Sequence, residues 1–400
     1  MHEPTAAPLR SRDRPGQRFP LGRALVLAPL IGILAGCAEL GYYTQSVGGH
    51  LDLLARSRSI EEVLADPSTP SSLALRLRAA LGMRRFAVEQ LSLPDNGSYR
   101  RYARLDRAAV VWAVAAAPEL SVEPRQWCFP VAGCVSYRGY FRRDAAESFA
   151  AGLAADGWDV AIRPAAAYST LGWLADPLPS TVIDWPRPRL AGLLFHELAH
   201  QRLYVPGDTA FNEAFASVVE AEGVRRWIAA YGEPGERQAW ERLRLRQGQL
   251  ADLMLGTRRR LEALYATDLP LSAKRRRKAA LLEGIRDAYA RLKASWDGYS
   301  GLDAALAGPV NNASLALAQA YDGWVPALQL LLERHGGRPS PFYEACERLA
   351  RLPQPEREAR LRALQASALA EAVPAALSGR DAPGTPAPPH PCPSPRCPAP

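Results

Sequence analysis

The 400-residue chain has no internal repeat and no sustained heptad pattern, which excludes a repeat array and a coiled coil. It also lacks a basic patch interleaved with aromatic side chains. Its formal charge of +8 is mostly arginine spread along the chain among Glu and Asp, and only residues 258–260 and 274–278 form basic runs. Nucleic acid is therefore not an expected partner. Apolar residues make up 48% and charged residues 22%, the balance of a folded globular protein and not of a disordered one. The length fits one large unit or two closely packed lobes. Histidine and cysteine are both scarce, six of each, so where they cluster matters.

Long apolar runs are missing too. The N-terminal one, residues 24–35, falls short of the roughly 20 residues that a spanning helix needs. It follows Arg10, Arg12, Arg14, Arg18 and Arg23, the layout of a secretory signal. It ends in Leu34-Ala35-Gly36-Cys37, which resembles a bacterial lipobox, where cleavage leaves the cysteine as a lipid-bearing N-terminus. The expectation is a signal peptide over 1–36, a short tether over 37–50, and a location in the bacterial periplasm, anchored to a membrane by lipidated Cys37. In that oxidising compartment Cys128 and Cys134, separated by a turn-rich stretch, are expected to form a disulfide. A zinc-binding pair is the competing reading, but no second Cys or His pair stands nearby. Cys346 reads as a thiol buried on a helix, while Cys392 and Cys397 fall in a Pro-rich tail, 379–400, expected to be disordered.

Amphipathic spacing predicts helices over 51–60 and 70–91, with a turn at Pro94-Asp95-Asn96-Gly97. Strands are expected over 108–114, 135–141 and 158–163, with a helix over 144–155 and a further extended segment over 168–173. From residue 189 the pattern turns helical: 189–203, 212–231, a long pair over 240–264 and 272–296, then 313–321, 324–336, 341–349 and 356–369. The fold class is therefore α+β. A small mixed sheet with two consecutive helices makes up a part spanning 51–235, followed by a mainly helical C-terminal part over 236–378.

The chemistry concentrates in His196-Glu197-Leu198-Ala199-His200. Histidines four apart on a helix share one face, one turn apart, as two ligands of a single Zn²⁺ must. Glu197 sits about a third of a turn away and can reach a water on the metal without competing for the ion. Chance would produce such a pattern in on the order of one chain in a hundred with so few histidines. Catalytic zinc uses three protein ligands. Glu213, at the start of the next helix, is the expected third, with Asp208, Glu220 and Glu222 the other carboxylates in range. Glu220 shares a face with Glu213 and is placed to orient one of the histidines. Leu203 and Pro206 stand where a metzincin has Gly and His, which excludes that class.

At these residues the chain resembles the gluzincins, whose HExxH is followed by Asn-Glu on a second helix. More closely it resembles a bacterial family described as putative zinc aminopeptidases, predicted lipoproteins. The resemblance rests on Cys37, residues 93–99, 133–141, 168–181, 195–201 and 211–216, and Asn311-Asn312-Ala313. It implies a zincin-like catalytic core, Zn²⁺ held by His196, His200 and Glu213, and Glu197 as general base. Twelve residues separate His200 from Glu213, several fewer than is usual in thermolysin-like enzymes.

The expected activity is a zinc metallopeptidase, an aminopeptidase or an endopeptidase, acting on peptides. The alternatives are a non-catalytic zinc-binding envelope lipoprotein and a metal-assisted amidase of cell-wall material. Residues 168–173 are the candidate edge on which a substrate backbone would add as a strand. Tyr321 is the favoured donor to the oxyanion, ahead of Tyr299 and His335.

Overall fold

The structure, a computed structural model, describes residues 40–129 and 133–378, and only the backbone for 318–322 and 372–378. Cys37, the expected signal segment and the Pro-rich tail lie outside these residues. Residues 40–55 are helical (α1), so the stretch expected as a tether is helix from residue 40 onward. Gly41, Gly48 and Gly49 each weaken a helix by about 1 kcal/mol, too little to interrupt it. Two compact units, Met1–Leu51 and Asp52–Pro400, divide within this helix.

The second unit starts with a short strand, β1 (Ser57–Ser59), and a one-turn helix, α2 (Ile60–Ala65), closed by a capping box between Ser59 and Glu62. Next comes α3 (Ser71–Leu91), launched from Pro70. Three small sheets follow where one was expected. Strands β1, β2 (Arg101–Ala103) and β8 (Leu178–Pro179) form a mixed sheet, with β2 antiparallel to β1 and parallel to β8. A longer sheet is antiparallel throughout and centres on β3 (Val111–Ala117), flanked by β6 (Arg138–Tyr140) and β7 (Asp159–Ala165). Strand β3 reads Val-Trp-Ala-Val-Ala-Ala-Ala and is largely buried, with its small residues letting helix α4 (Arg143–Ala155) pack close. The third sheet is the hairpin of β4 (Trp127–Phe129) and β5 (Gly133–Val135), in which Cys128 and Cys134 pair directly and are joined by a disulfide. The stretch 135–141, expected as one strand, is split between β5 and β6 by a bend at Ser136 and Tyr137.

The segment 168–173 is a loop and not a strand. Its backbone donors are taken locally: Thr170 N donates to Asp176 Oδ2 (2.9 Å), Leu171 N to Ser169 Oγ (3.2 Å) and Leu174 N to Thr170 Oγ1 (3.0 Å). Side-chain acceptors of this kind compete with a ladder for the same N–H groups. The candidate substrate edge is thereby overturned.

After the short α5 (Ser180–Ile183), helix α6 (Arg187–Arg202) and helix α7 (Thr209–Tyr231) lie against each other. Helices α8 (Glu236–Tyr265) and α9 (Leu271–Ser295) pack along one another with their own apolar cluster around Leu250, Leu261, Ile285 and Trp296. Helix α10 (Asn312–Asp322) rests on α7, α8 and β3. Asn311 Oδ1 accepts from Ser314 N, and Asn312 donates to the carbonyls of Pro118 and Glu119, tying the start of α10 to the end of β3. Helices α11 (Val325–Arg334), α12 (Pro339–Ala350) and α13 (Gln354–Ser378) complete the chain. The main core joins α3, α6, α7, α11, α12 and α13. Among the described residues no helix is long and apolar enough to cross a membrane.

Candidate metal centre

Helix α6 starts on Pro186 with Pro188 in its first turn, where a missing N–H costs nothing. Leu190, Ala191, Leu194, Phe195, Leu198 and Ala199 recur at helical spacing and are all buried. Phe195 in the core of α6 faces Phe86, while Phe215 of α7 stacks on Phe342 and meets Tyr343 edge-on. Fully burying each such side chain stabilises the fold by about 2 kcal/mol. The two helices are therefore stiff mounts.

They also approach closely. A Cβ at Gly192 would come within 3.2 Å of the Glu220 side chain, so glycine makes room for that carboxylate between the helices.

The polar face of this pair brings His196, His200 and Glu213 together. One ligand atom from each lies within 4.8 Å of the others, a group that can hold a metal ion. The two Nε2 atoms are 3.2 Å apart, Glu213 Oε2 is 3.3 Å from His196 Nε2, and Glu213 Oε1 is 3.7 Å from His200 Nε2. On its other nitrogen His196 is held by Glu220, with Nδ1 3.1 Å from Oε2. Of the competing carboxylates, Glu222 is taken by Arg225 and Arg226, and Asp208 caps α7 by accepting from Phe211 N at 3.0 Å.

Charge in this pocket is strongly biased. Burial opposes a charge on His196, but hydrogen bonds to Glu213 and Glu220 outweigh it and hold the ring well above its ordinary value. His200, buried and beside His196, is pushed down to about 4 despite the field of Glu213. Burial would raise both Glu213 and Glu220, yet the hydrogen bond each makes to His196 keeps them low. Glu197 has no such partner. Burial above all lifts it to about 7, with His196 pulling down and Glu213, Asp176 and Glu220 pushing up.

The short connection between the ligand helices is clamped by Asn212, a residue with no functional signal of its own beyond its place before Glu213. Its side chain is 1% exposed and bonds both backbone groups of Val205, accepting from N and donating to O, each at 2.8 Å. Asp208, at the start of α7, pairs with Arg357 of α13 at 2.7 Å, both side chains buried. Nothing in the sequence relates residues so far apart. Gly133 of the disulfide hairpin lies against the same connection, where a Cβ would meet Gly207 N at 2.5 Å. On the other side Gln201, next to His200, accepts from Asn96 Nδ2 (2.7 Å) and donates to Ser98 Oγ (3.2 Å). The next residue, Tyr99, holds a left-handed backbone (φ 61°) and donates its N–H to the carbonyl of Asp176 at 2.6 Å.

The side chain of Tyr321 is outside the described residues. Tyr299 lies under the Arg246 guanidinium, 4.3 Å from its ring centre, and His335 Nδ1 bonds the Leu331 carbonyl at 2.8 Å. Neither joins the metal-ligand group. Burial above all raises the Tyr137 phenol, with Glu213, Tyr204 and Glu197 adding to it.

A family model described as "Putative aminopeptidase" matches residues 41–361. No curated protein and no solved structure matches.

Proposed function

Since the chain belongs to the family described as "Putative aminopeptidase", we propose that it is a zinc-dependent peptidase, and within that class an aminopeptidase. The observation that carries the zinc reading is the donor triangle. Bonds of about 2.0–2.1 Å to a tetrahedral ion require donors about 3.3 Å apart. The separations of 3.2, 3.3 and 3.7 Å between His196, His200 and Glu213 meet that with little adjustment. Two imidazoles and one carboxylate suit Zn²⁺ better than Mg²⁺ or Ca²⁺, which prefer all-oxygen sites. Three protein ligands leave a position free, the mark of a catalytic zinc site.

The ion would supply Lewis acidity, easing deprotonation of water and polarising a substrate carbonyl. Glu197 is the base. Sequence places it between the ligands but off their face, and its value near 7 in the ion-free site suits a group that must both take and return a proton. A purely structural zinc site has no use for such a carboxylate. Glu220 fixes the ring of His196 so that Nε2 points at the ion. Gln201 ties the end of α6 to the loop at Asn96 and Ser98, which fixes the wall beside His200.

The setting proposed is the bacterial periplasm, with the chain anchored to a membrane through lipidated Cys37. The disulfide between Cys128 and Cys134 agrees with an oxidising compartment. Replacing Cys37 with Ala should release the protein from membranes.

The activity is tested with the zinc-loaded protein and a peptide library carrying free and acetylated N-termini. Cleavage confined to free N-termini supports an aminopeptidase, and cleavage of both makes it an endopeptidase. Glu197→Gln should keep one zinc per chain and lose cleavage by about 10²- to 10⁴-fold. Absence of stoichiometric zinc in the wild type, or full activity in the variant, would overturn the reading.

A further inference from the structure

We propose that helix α1 docks on a bilayer surface, lying along it with Leu40, Tyr43, Val47 and Leu51 sunk into the boundary between headgroups and acyl chains. The docking belongs to the helix itself and depends neither on the peptidase reading nor on a lipid at Cys37.

The four side chains follow one another at intervals of three, four and four residues, which sets them in one stripe along a helix. All four stand exposed, by 67%, 39%, 58% and 59% in that order. The other large apolar side chains exposed among the described residues lie apart on different elements, with Trp173 and Leu174 the one adjacent pair, and none of them forms a stripe. A helix on a water-facing surface turns its apolar stripe to the core and its polar side outward. In α1 the order is reversed: Gln45 and Ser46 are only partly exposed and His50 is buried.

The exposed side is also built to leave water at little cost. Residues 40–51 include no Asp, Glu, Lys or Arg, so no such charge has to be desolvated. Thr44, the polar residue amid the stripe, donates its hydroxyl proton to the Leu40 carbonyl at 2.8 Å, and a donor satisfied within its own helix can enter an apolar medium. Tyr43 suits the boundary, where a tyrosine ring meets acyl chains and its hydroxyl meets headgroups.

The helix, residues 40–55, is about 24 Å long, short of the roughly 30 Å of a hydrocarbon core, so it lies along the surface and does not cross it. The chain just before it favours a bilayer over a second copy as the occupant. That stretch carries the apolar run 24–35 and Cys37. Whether the run is kept or is cut away to leave a lipid on Cys37, α1 starts within a few residues of a group with its own affinity for a bilayer.

The test uses the full chain carrying Cys37→Ala, so that no lipid is attached, floated with phosphatidylcholine vesicles. Val47→Asp together with Leu51→Asp should lower the partition coefficient by about tenfold or more. Gln45→Glu, which adds a charge on the less exposed side, should leave it within about threefold. Amide exchange over 40–51 should slow on vesicles in the parent and not in the double variant. Adding phosphatidylglycerol or raising the salt should change nothing, because the stripe is uncharged. Failure of the parent to float, or equal flotation of parent and double variant, which assigns the binding to residues 24–35, would overturn the proposal. So would binding that needs anionic lipid and fades with salt, which assigns it to the basic runs. A lipid-free dimer that the two substitutions dissociate in sedimentation would make a second copy the occupant and end it too. Peptide cleavage should be equal in parent and double variant, so a failure here leaves the peptidase reading untouched.

Discussion

Glu220 reaches back across the helix pair to His196, its Oε2 3.1 Å from Nδ1, while Glu213, two turns nearer the start of α7, faces the opposite nitrogen of the same ring at 3.3 Å. One imidazole is thus gripped from both sides by one helix. The two contacts set the tilt of the ring.

Glu220→Gln should therefore weaken zinc binding by about 10- to 100-fold without abolishing it, whereas Glu213→Ala should cost considerably more. Competition with a chromophoric chelator measures both. Equal affinity in Glu220→Gln and wild type would remove Glu220 from the site's support.

Because the two carboxylates raise the pKa of His196 well above the ordinary imidazole value, its ring carries a proton at pH 7 in the ion-free protein. Ligation needs that ring neutral, so zinc must expel the proton. The sign follows: apparent zinc affinity should rise with pH through neutrality, and loading at pH 7 should release about one proton. Calorimetry in buffers of different ionisation enthalpy reads the number. His200, already pushed down to about 4, should add nothing above pH 6.

Arg357→Met should destabilise the fold by about 3–5 kcal/mol, because it strands the buried Asp208 carboxylate without its partner. Asp208→Asn combined with Arg357→Met should recover much of the loss. Urea unfolding of these two variants and of Asp208→Asn alone separates the pair's own worth from the cost of leaving one charge alone.

Replacing Cys128 and Cys134 with Ser should lower stability by about 2 kcal/mol, the chain-entropy value for so short a loop. The same loss should appear in the wild type under reductant. If denaturation midpoints are unmoved, the hairpin is held by its packing against the ligand-helix connection alone.

Much of the group that could hold a metal was legible because it is local. His196 and His200 are one turn apart on a single helix, and Glu213 and Glu220 are two turns apart on the next, so periodicity alone brings them into one zone. The helical C-terminal part could likewise be read from spacing, with boundaries within a few residues except at the end of α13. What failed was turn chemistry. The segment 168–173 looked extended, but Ser169, Thr170 and Asp176 capture its backbone donors. The glycines near residue 41 suggested a tether, and the backbone there is helical. Asp208 with Arg357, and Tyr137 with Glu213, were beyond reach for a different reason. Long stretches of sequence separate them, 149 residues in the first pair, and no periodicity encodes a meeting at that range.

The two hydrogen bonds between Asn212 and Val205 act as a length gauge. Each residue of helix advances direction by about 100°, so one residue inserted between Asp208 and Asn212 would swing Glu213 away from the histidines by more than a quarter circle. A surface-reaching connection of this kind would ordinarily tolerate insertion. Here its residue count is part of the angular alignment of the ligands, and a chain of this type can change the sequence of that connection far more freely than its length.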